Sequence, residues 1–297
     1  CSSSLCKRSG CVMSKPQRTP LKRVLRTQLH LAPAHVLLLF FGLFMVFPFV
    51  WQIIMSLSTN AEVRSVPPTF WPEVLQWHNY SDVFTKLPFM QNFWISVLIT
   101  VIRTLAQLLF CSMAGYAFAR MQFSGRGILF GAVLLILMVP SQVYLIPQYQ
   151  IVQGLGLLET PWGIVLPGLF SAFGTFLMRQ TFLSLPREME EAARLDGCSQ
   201  WQIFTKVMLP LAAPGLSAVA ITTVLWSWND LLWPLIVTTR EDKMPLSVGI
   251  ATLAGEHSSD YSMMMSASIM SMAPIFILFF SMQRRVISGL ASSGLKG

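Results

Sequence analysis

Apolar residues run along this chain in six long blocks, near 34–57, 93–118, 127–149, 161–183, 211–238 and 262–283, with polar residues gathered between them. About 20 helical residues cross a hydrocarbon layer of roughly 30 Å, so each block predicts a transmembrane helix. The short alternating strands of a membrane β-barrel are not seen, and only helices or closed barrels satisfy every backbone group in lipid. The predicted fold class is therefore an all-α polytopic membrane protein with six transmembrane helices. A basic segment over 1–33 precedes the transmembrane domain, 34–285, and a tail over 286–297 follows it. Several blocks contain Pro or Gly, among them Pro48, Gly115, Pro140, Pro147, Pro167, Gly168, Pro214, Pro234 and Pro274. Kinks at such points suit a bundle that rocks between two conformations, and close packing through small residues explains them equally well. Residues 58–92 carry Pro67, Pro68, Pro72 and Pro88 with Trp71 and Trp77, which predicts an ordered outer lid of short turns. Its tryptophans also fit an interfacial belt.

Composition supports the membrane reading. The chain is 54% hydrophobic and 11% charged, where soluble domains carry about 25% charge. The net charge of +8 does not point to nucleic acid, because its distribution is one-sided. Of the 21 Lys and Arg, only Arg64, Lys86, Arg240 and Lys243 fall on the predicted outer side and Arg103 within a span. The rest lie on the inner side, as the positive-inside rule requires for six spans with both termini in the cytoplasm. Cys111 lies in a span and Cys198 in an inner loop, where thiols stay reduced, and no CxxC metal spacing occurs. Residues 1–12, with Cys1, Cys6 and Cys11, precede the first Met, Met13, and are expected to be non-native or upstream-translated sequence. His30, His35, His78 and His257 form no HExxH or Ser/His/Asp set, so an embedded enzyme is not expected.

One polar stretch breaks the apolar pattern on the inner side. Ser184, Leu185 and Pro186 read as a helix start, and Glu188, Glu190 and Glu191 complement the positive end of its dipole. Ala192 and Ala193 keep that helix narrow enough to press into a partner's groove, and Gly197 supplies a left-handed stop. Ser199 with Gln202 forms a capping box that starts a second helix, and Leu209-Pro210 turns back towards the membrane. The order Glu191-Ala192-Ala193, three residues, Gly197, nine residues, Val207, one residue, Leu209-Pro210 resembles the EAA loop of ABC importer permeases, with Val207 in place of Ile.

The resemblance extends over residues 30–297. Tyr116-Ala117-Phe118-Ala119-Arg120, Phe176-Leu177-Met178-Arg179-Gln180 and Trp228-Asn229-Asp230-Leu231-Leu232-Trp233-Pro234-Leu235 are similar to the carbohydrate-uptake branch, in particular the MalG-like permeases of maltose-type importers. It implies a type I, MetI-like permease fold whose helix–turn–helix loop, 184–210, couples to a cytoplasmic ATPase through Glu191, Ala192, Ala193, Asp196, Gly197, Val207, Leu209 and Pro210. It also implies a second homologous permease, two copies of the ATPase, an extracytoplasmic solute-binding protein and a bacterial or archaeal cytoplasmic membrane. The tail near Gly294 to Gly297 is implied to reach between the ATPases. The chain itself has no phosphate-binding Gly-x-x-x-x-Gly-Lys-Ser/Thr loop, so no cofactor is expected on it, and ATP with Mg is expected on the partner ATPase. A glycerol-3-phosphate or polyol importer fits the same pattern. An ion-coupled secondary transporter predicts carboxylate-rich broken helices and inverted repeats, and leaves the loop unexplained.

The candidate translocation pathway rests on intramembrane polar groups. Trp226, Asn229, Asp230 and Trp233 are spaced i, i+3, i+4, i+7, which predicts one stripe on the fifth span. Intramembrane charges face a cavity or a partner, so Asp230 either lines the solute path or joins Asn229 in a helix–helix network while the tryptophans anchor the interface. Arg103 could pair with Asp230, line the cavity or meet an anionic solute. Gln107, Gln142, Tyr144, Gln148 and Tyr149 add polar surface without selecting one another.

Overall fold

The computed structural model describes residues 21–67, 69–254 and 260–294, with side chains for 33–67, 69–254 and 260–280. Residues 1–12, His257 and the last three residues of the tail lie outside the described residues. The chain forms two units, one up to Gln52 and one from Ile53 onward. The first unit is most of helix α1 (Leu21–Ser56), and its apolar side chains from Val36 to Val50 are exposed. A helix apolar on every side is built for lipid or another chain rather than for water.

The second unit is organised on α4 (Phe89–Arg120), a 32-residue helix. A polar or small stripe recurs every three or four residues on its buried face, Asn92, Ser96, Thr100, Arg103, Gln107, Cys111, Gly115 and Ala119, beside the larger buried Phe89, Ile99 and Tyr116. Before it stand α2 (Asn60–Arg64), capped by a Thr59–Glu62 box, and α3 (His78–Lys86). The segment between α1 and α4 is thus more helical than a lid of turns. Asn79 of α3 donates to the carbonyls of Ser56 and Ser58, and Lys86 pairs with Asp260 at 3.1 Å. Trp71 and Trp77 are exposed.

After α4 come α5 (Arg126–Met138), a 3₁₀ turn, α6 (Leu145–Gly154), α7 (Pro161–Val165), a 3₁₀ turn over Leu166–Gly168, and α8 (Ala172–Ser184). Then follow α9 (Glu188–Leu195), α10 (Gln200–Gln202), a π-helical segment (Ile203–Met208), α11 (Leu209–Leu211), α12 (Ala213–Trp228), α13 (Leu232–Val237), α14 (Leu246–Thr252) and α15 (Tyr261–Gly294). Helices α8 and α12 pack most extensively on α4, and α15 packs on α12 and α3. Contact is close because a Cβ on Gly115 would lie 2.6 Å from Cβ of Met178, and one on Gly215 would lie 2.3 Å from Oγ1 of Thr181.

The six apolar blocks fold as three unbroken helices and three bent pairs. Among the described residues, three helices are long and apolar enough to cross a membrane: Pro33–Ser56, Phe89–Arg120 and Tyr261–Phe280. The count reaches six only if each of three bent pairs is one span. These are Arg126–Met138 with Ser141–Gly154 at 98°, Pro161–Gly168 with Ala172–Ser184 at 40°, and Gln200–Leu211 with Ala213–Trp228 at 75°. Prolines sit at each break, Pro140, Pro167, and Pro210 with Pro214, where the missing N–H interrupts the ladder. The fifth block breaks again at 229–231 before α13.

Candidate functional site

Two places gather the residues singled out above. The first is the polar loop. Its first helix begins at Glu188, after Arg187, and Ser184 instead closes α8 by donating its hydroxyl to the carbonyl of Thr181. The proposed helix start at 184–186 is therefore two residues early. Glu190 does more than complement a dipole. It is buried, and accepts from the Tyr116 hydroxyl at 3.0 Å and from Nη2 of Arg194 at 3.1 Å, with Nε of Arg120 at 3.9 Å. Tyr116 also accepts from Nε2 of Gln200 at 2.7 Å, and its ring meets Phe182 and Phe204 at centroid distances of 5.4 and 5.1 Å. Arg120 donates to the carbonyls of Phe182 and Leu185. The end of α4 thereby grips α8, α9 and α10 together.

The hinge forms as expected. Gly197 has φ +79°, the Cys198 N–H bonds the carbonyl of Ala193, and the Gly197 N–H bonds that of Arg194, a Schellman stop. Open space surrounds the Gly197 Cα, so its backbone angle alone requires glycine. The Ser199–Gln202 box is present, with Ser199 N–H to Oε1 of Gln202 at 2.8 Å. The π-helical turn that follows buries Ile203, Phe204 and Met208. Hydrophobic periodicity does not distinguish such a turn from an α-helix.

The loop's motif residues divide by direction. Ala193, Val207 and Leu209 pack into the cluster around Phe182 and Phe204, whereas Glu191, Ala192, Asp196, Gly197 and Pro210 are exposed. Ala193 therefore anchors the loop to its own bundle, and only Ala192 of the pair leaves a shallow outer face. The loop also exposes two large apolar side chains, Leu195 at 90% and Trp201 at 58%. Sequence reasoning passed over both, although an apolar side chain in a polar loop was the available signal.

The second place is a cavity of about 390 Å³ between the broken spans. It is lined by Arg103, Trp226, Asp230 and Trp233, but not by Asn229, whose Nδ2 turns back to the carbonyl of Leu225 at 2.8 Å. The single-stripe reading is corrected: α12 ends at Trp228, Asn229 caps it, and Trp233 lies on α13. The cavity collects these side chains by a chain break, not by helical repeat. Trp233 is buried and donates to the carbonyl of Gly163 at 3.1 Å, so it is a core residue and not an interfacial anchor. Trp226 is 59% exposed and packs on Phe173.

Arg103 donates Nη1 to Oδ2 of Asp230 at 2.8 Å and Nη2 to the carbonyl of Ile164. One turn along α4, Gln107 donates to the carbonyl of Gly168 and accepts from Thr223, both at 2.7 Å. Carbonyls freed where the seventh helix gives way to a 3₁₀ turn are thus satisfied from α4. Gly168 lies flat against the guanidinium, since a Cβ there would come within 2.5 Å of Nε. The pair is at once a structural clamp and part of the cavity wall. Tyr144 and Gln148 also line the cavity; Gln142 and Tyr149 do not.

On the α13 side of the molecule, Glu159 holds the turn before α7 to the end of α13. Its carboxylate accepts from the Thr239 N–H and hydroxyl and from the Arg240 N–H. Slight burial pushes its pKa up, but these donors outweigh it and hold the carboxyl below its ordinary value.

Residues 107–291 match the family described as binding-protein-dependent transport system inner membrane component. The chain is 38% identical over 265 residues to the arabinooligosaccharides transport system permease protein AraQ of Halalkalibacterium halodurans, covering 87% of this chain and 94% of that one. It is 32% identical over 248 residues to the lactose transport system permease protein LacG of Rhizobium radiobacter, covering 84% and 90%. In fold it is similar to a chain of a bacterial ABC transporter involved in the import of the acidic polysaccharide alginate, with a TM-score of 0.73, 25% identity, and coverage of 91% and 99%.

Proposed function

Since this chain belongs to the family of binding-protein-dependent transport system inner membrane components, we propose that it is the membrane-spanning permease subunit of an ATP-driven importer for a sugar or oligosaccharide. It forms half of the translocation pathway. A second, homologous permease forms the other half, two copies of a cytoplasmic ATPase drive the cycle, and an extracytoplasmic binding protein delivers the solute. The chain sits in a bacterial or archaeal cytoplasmic membrane with both termini inside. ATP and Mg are held by the ATPase, and this chain contributes transport, not hydrolysis.

The observation that carries the coupling reading is the two-sided loop. Ala193, Val207, Leu209 and Glu190 fasten it to the bundle, while Ala192, Asp196, Leu195 and Trp201 face outward around a Gly197 hinge. A push on that outer face passes through Glu190 and Tyr116 into α4, which carries Arg103 and Gln107 against the cavity. Coupling therefore has a continuous mechanical route of packed and hydrogen-bonded groups. The solute reading is supported by the named relatives and by a cavity whose wall joins Trp226 to Gln107, Gln148 and Asp230, aromatic faces beside hydrogen-bonding groups that suit a polyhydroxylated molecule.

The test is a tagged pull-down from mild detergent followed by ATP-dependent uptake in vesicles. Copurification of an ATPase and a second permease, with uptake of a sugar delivered by the accompanying binding protein, is the expected result. Recovery of this chain alone, with ion-driven uptake in the absence of ATP, overturns the reading. Uptake of glycerol-3-phosphate or a polyol in place of sugar retains the importer and changes the solute class.

A further inference from the structure

A second cavity, of about 560 Å³, opens beside the loop, at the ends of α4 and α8 and the start of α5. Four arginines line it: Arg120, Arg126, Arg187 and Arg194. Among the described residues, the only carboxylates in its wall are Glu190 and Glu191. Glu190 is already shared by Arg120 and Arg194, and Arg120 directs further donors to the Phe182 and Leu185 carbonyls. Arg126 uses Nη1 on the carbonyl of Met121, and Arg187 makes no ion pair among the described residues. The recess therefore keeps two uncompensated positive charges and several free guanidinium N–H groups.

The chemistry of the rim narrows the occupant. Phe123 and Leu183 form part of the wall and are partly exposed, and Ile128 and Leu129 on the adjoining turn of α5 are exposed as well. A soluble anion gains from the arginines alone. A lipid gains from both, because guanidinium forks take phosphate oxygens in pairs while acyl chains cover the apolar rim.

We propose that this recess binds the phosphate headgroup of an anionic phospholipid, bridging the start of α5 to α9. The inference rests on the permease reading only for the leaflet, since a loop that faces the cytoplasm draws lipid from the inner one. A headgroup held by Arg126 and Arg187 steadies the loop against the bundle, and makes coupling sensitive to the anionic lipid content of the membrane.

The experiment is native mass spectrometry of the intact transporter released from phosphatidylcholine nanodiscs doped with phosphatidylglycerol. The wild type is expected to retain phosphatidylglycerol above its bulk share, and R126Q/R187Q to retain about tenfold less. R126K/R187K is expected to recover part of the retention, and added salt to weaken it. Equal retention by wild type and R126Q/R187Q overturns the proposal. So does displacement of the lipid by inorganic phosphate alone, which makes the recess a site for free phosphate. Unchanged lipid with loss of the copurifying ATPase overturns it too, and assigns the arginines to protein docking. Lipid retention is read without transport, so failure of the sugar-importer reading shows separately, as absent ATP-dependent uptake with lipid still bound.

Discussion

The polar loop and the cavity are built in opposite ways. Within the loop, the Schellman stop at Gly197 and the Ser199–Gln202 box close over spans of three to five residues. The cavity is closed by Arg103 with Asp230, 127 positions apart, and by Gln107 with Thr223, 116 apart. A locally determined loop can flex about its hinge while keeping its shape. A cavity held by distant partners can change shape whenever the helices carrying them move. The loop thus resembles a rigid handle, and the cavity a part that can be remade by what the handle does.

Breaking the cavity clamp has the largest expected effect. In Arg103→Ala the partly exposed Asp230 carboxylate and the Ile164 carbonyl both lose their donor, at a cost of about 1–3 kcal/mol. The expected result is a lower melting temperature in detergent and little uptake, and an unchanged melting curve removes the clamp from the account. Asp230→Asn is milder, since it keeps an acceptor for the guanidinium. It separates selectivity from stability: uptake and solute preference both unchanged mean that Asp230 neither selects nor provides an essential charge.

Gly197→Asp tests the handle. A side chain at φ +79° costs about 1–2 kcal/mol, and the carboxylate alters the outer face. The chain should still insert in the membrane while ATPase copurification and uptake fall about tenfold or more; normal values of both remove the hinge from coupling. Tyr116→Phe is aimed at the join between handle and bundle. It loses the bonds to Glu190 and Gln200, about 1–2 kcal/mol, and hydrogen exchange over 188–211 should quicken while that of α12 does not. The smallest effect is expected at Glu159, which belongs to neither the loop nor the cavity wall. Its lowered pKa means that its stabilisation is complete above the ordinary carboxyl value of 4.5 and fades as pH falls through the lower folded value. The difference in melting temperature between wild type and Glu159→Gln should accordingly be present at neutral pH and shrink below pH 4.5. A difference that grows on acidification contradicts this sign.

Much of the handle was legible in the order of residues. Gly197 had to stop a helix because a left-handed residue was needed between two helix-forming stretches, and Ser199 with Gln202 had to start the next one. The inward turn of Glu190 was not legible, because its partner Tyr116 lies 74 positions away on α4. The same limit explains the mistaken stripe. The spacing of Trp226, Asn229, Asp230 and Trp233 assumed that α12 continues, and nothing local forbids it until Pro234.

Hydrophobic length and turn chemistry, being properties of neighbouring residues, therefore fixed the all-α membrane class, the six apolar blocks and the hinge of the loop. Tertiary structure decided which blocks bend and which side chains share the cavity. A proline frees backbone groups wherever it occurs, but a broken helix persists in an apolar surrounding only if something distant satisfies them. Here α4 does so: Arg103 reaches the carbonyl of Ile164, and Gln107 reaches that of Gly168. The physical reason is that the cost of an unpaired carbonyl is local while its remedy lies on another helix, and only folding brings the two together.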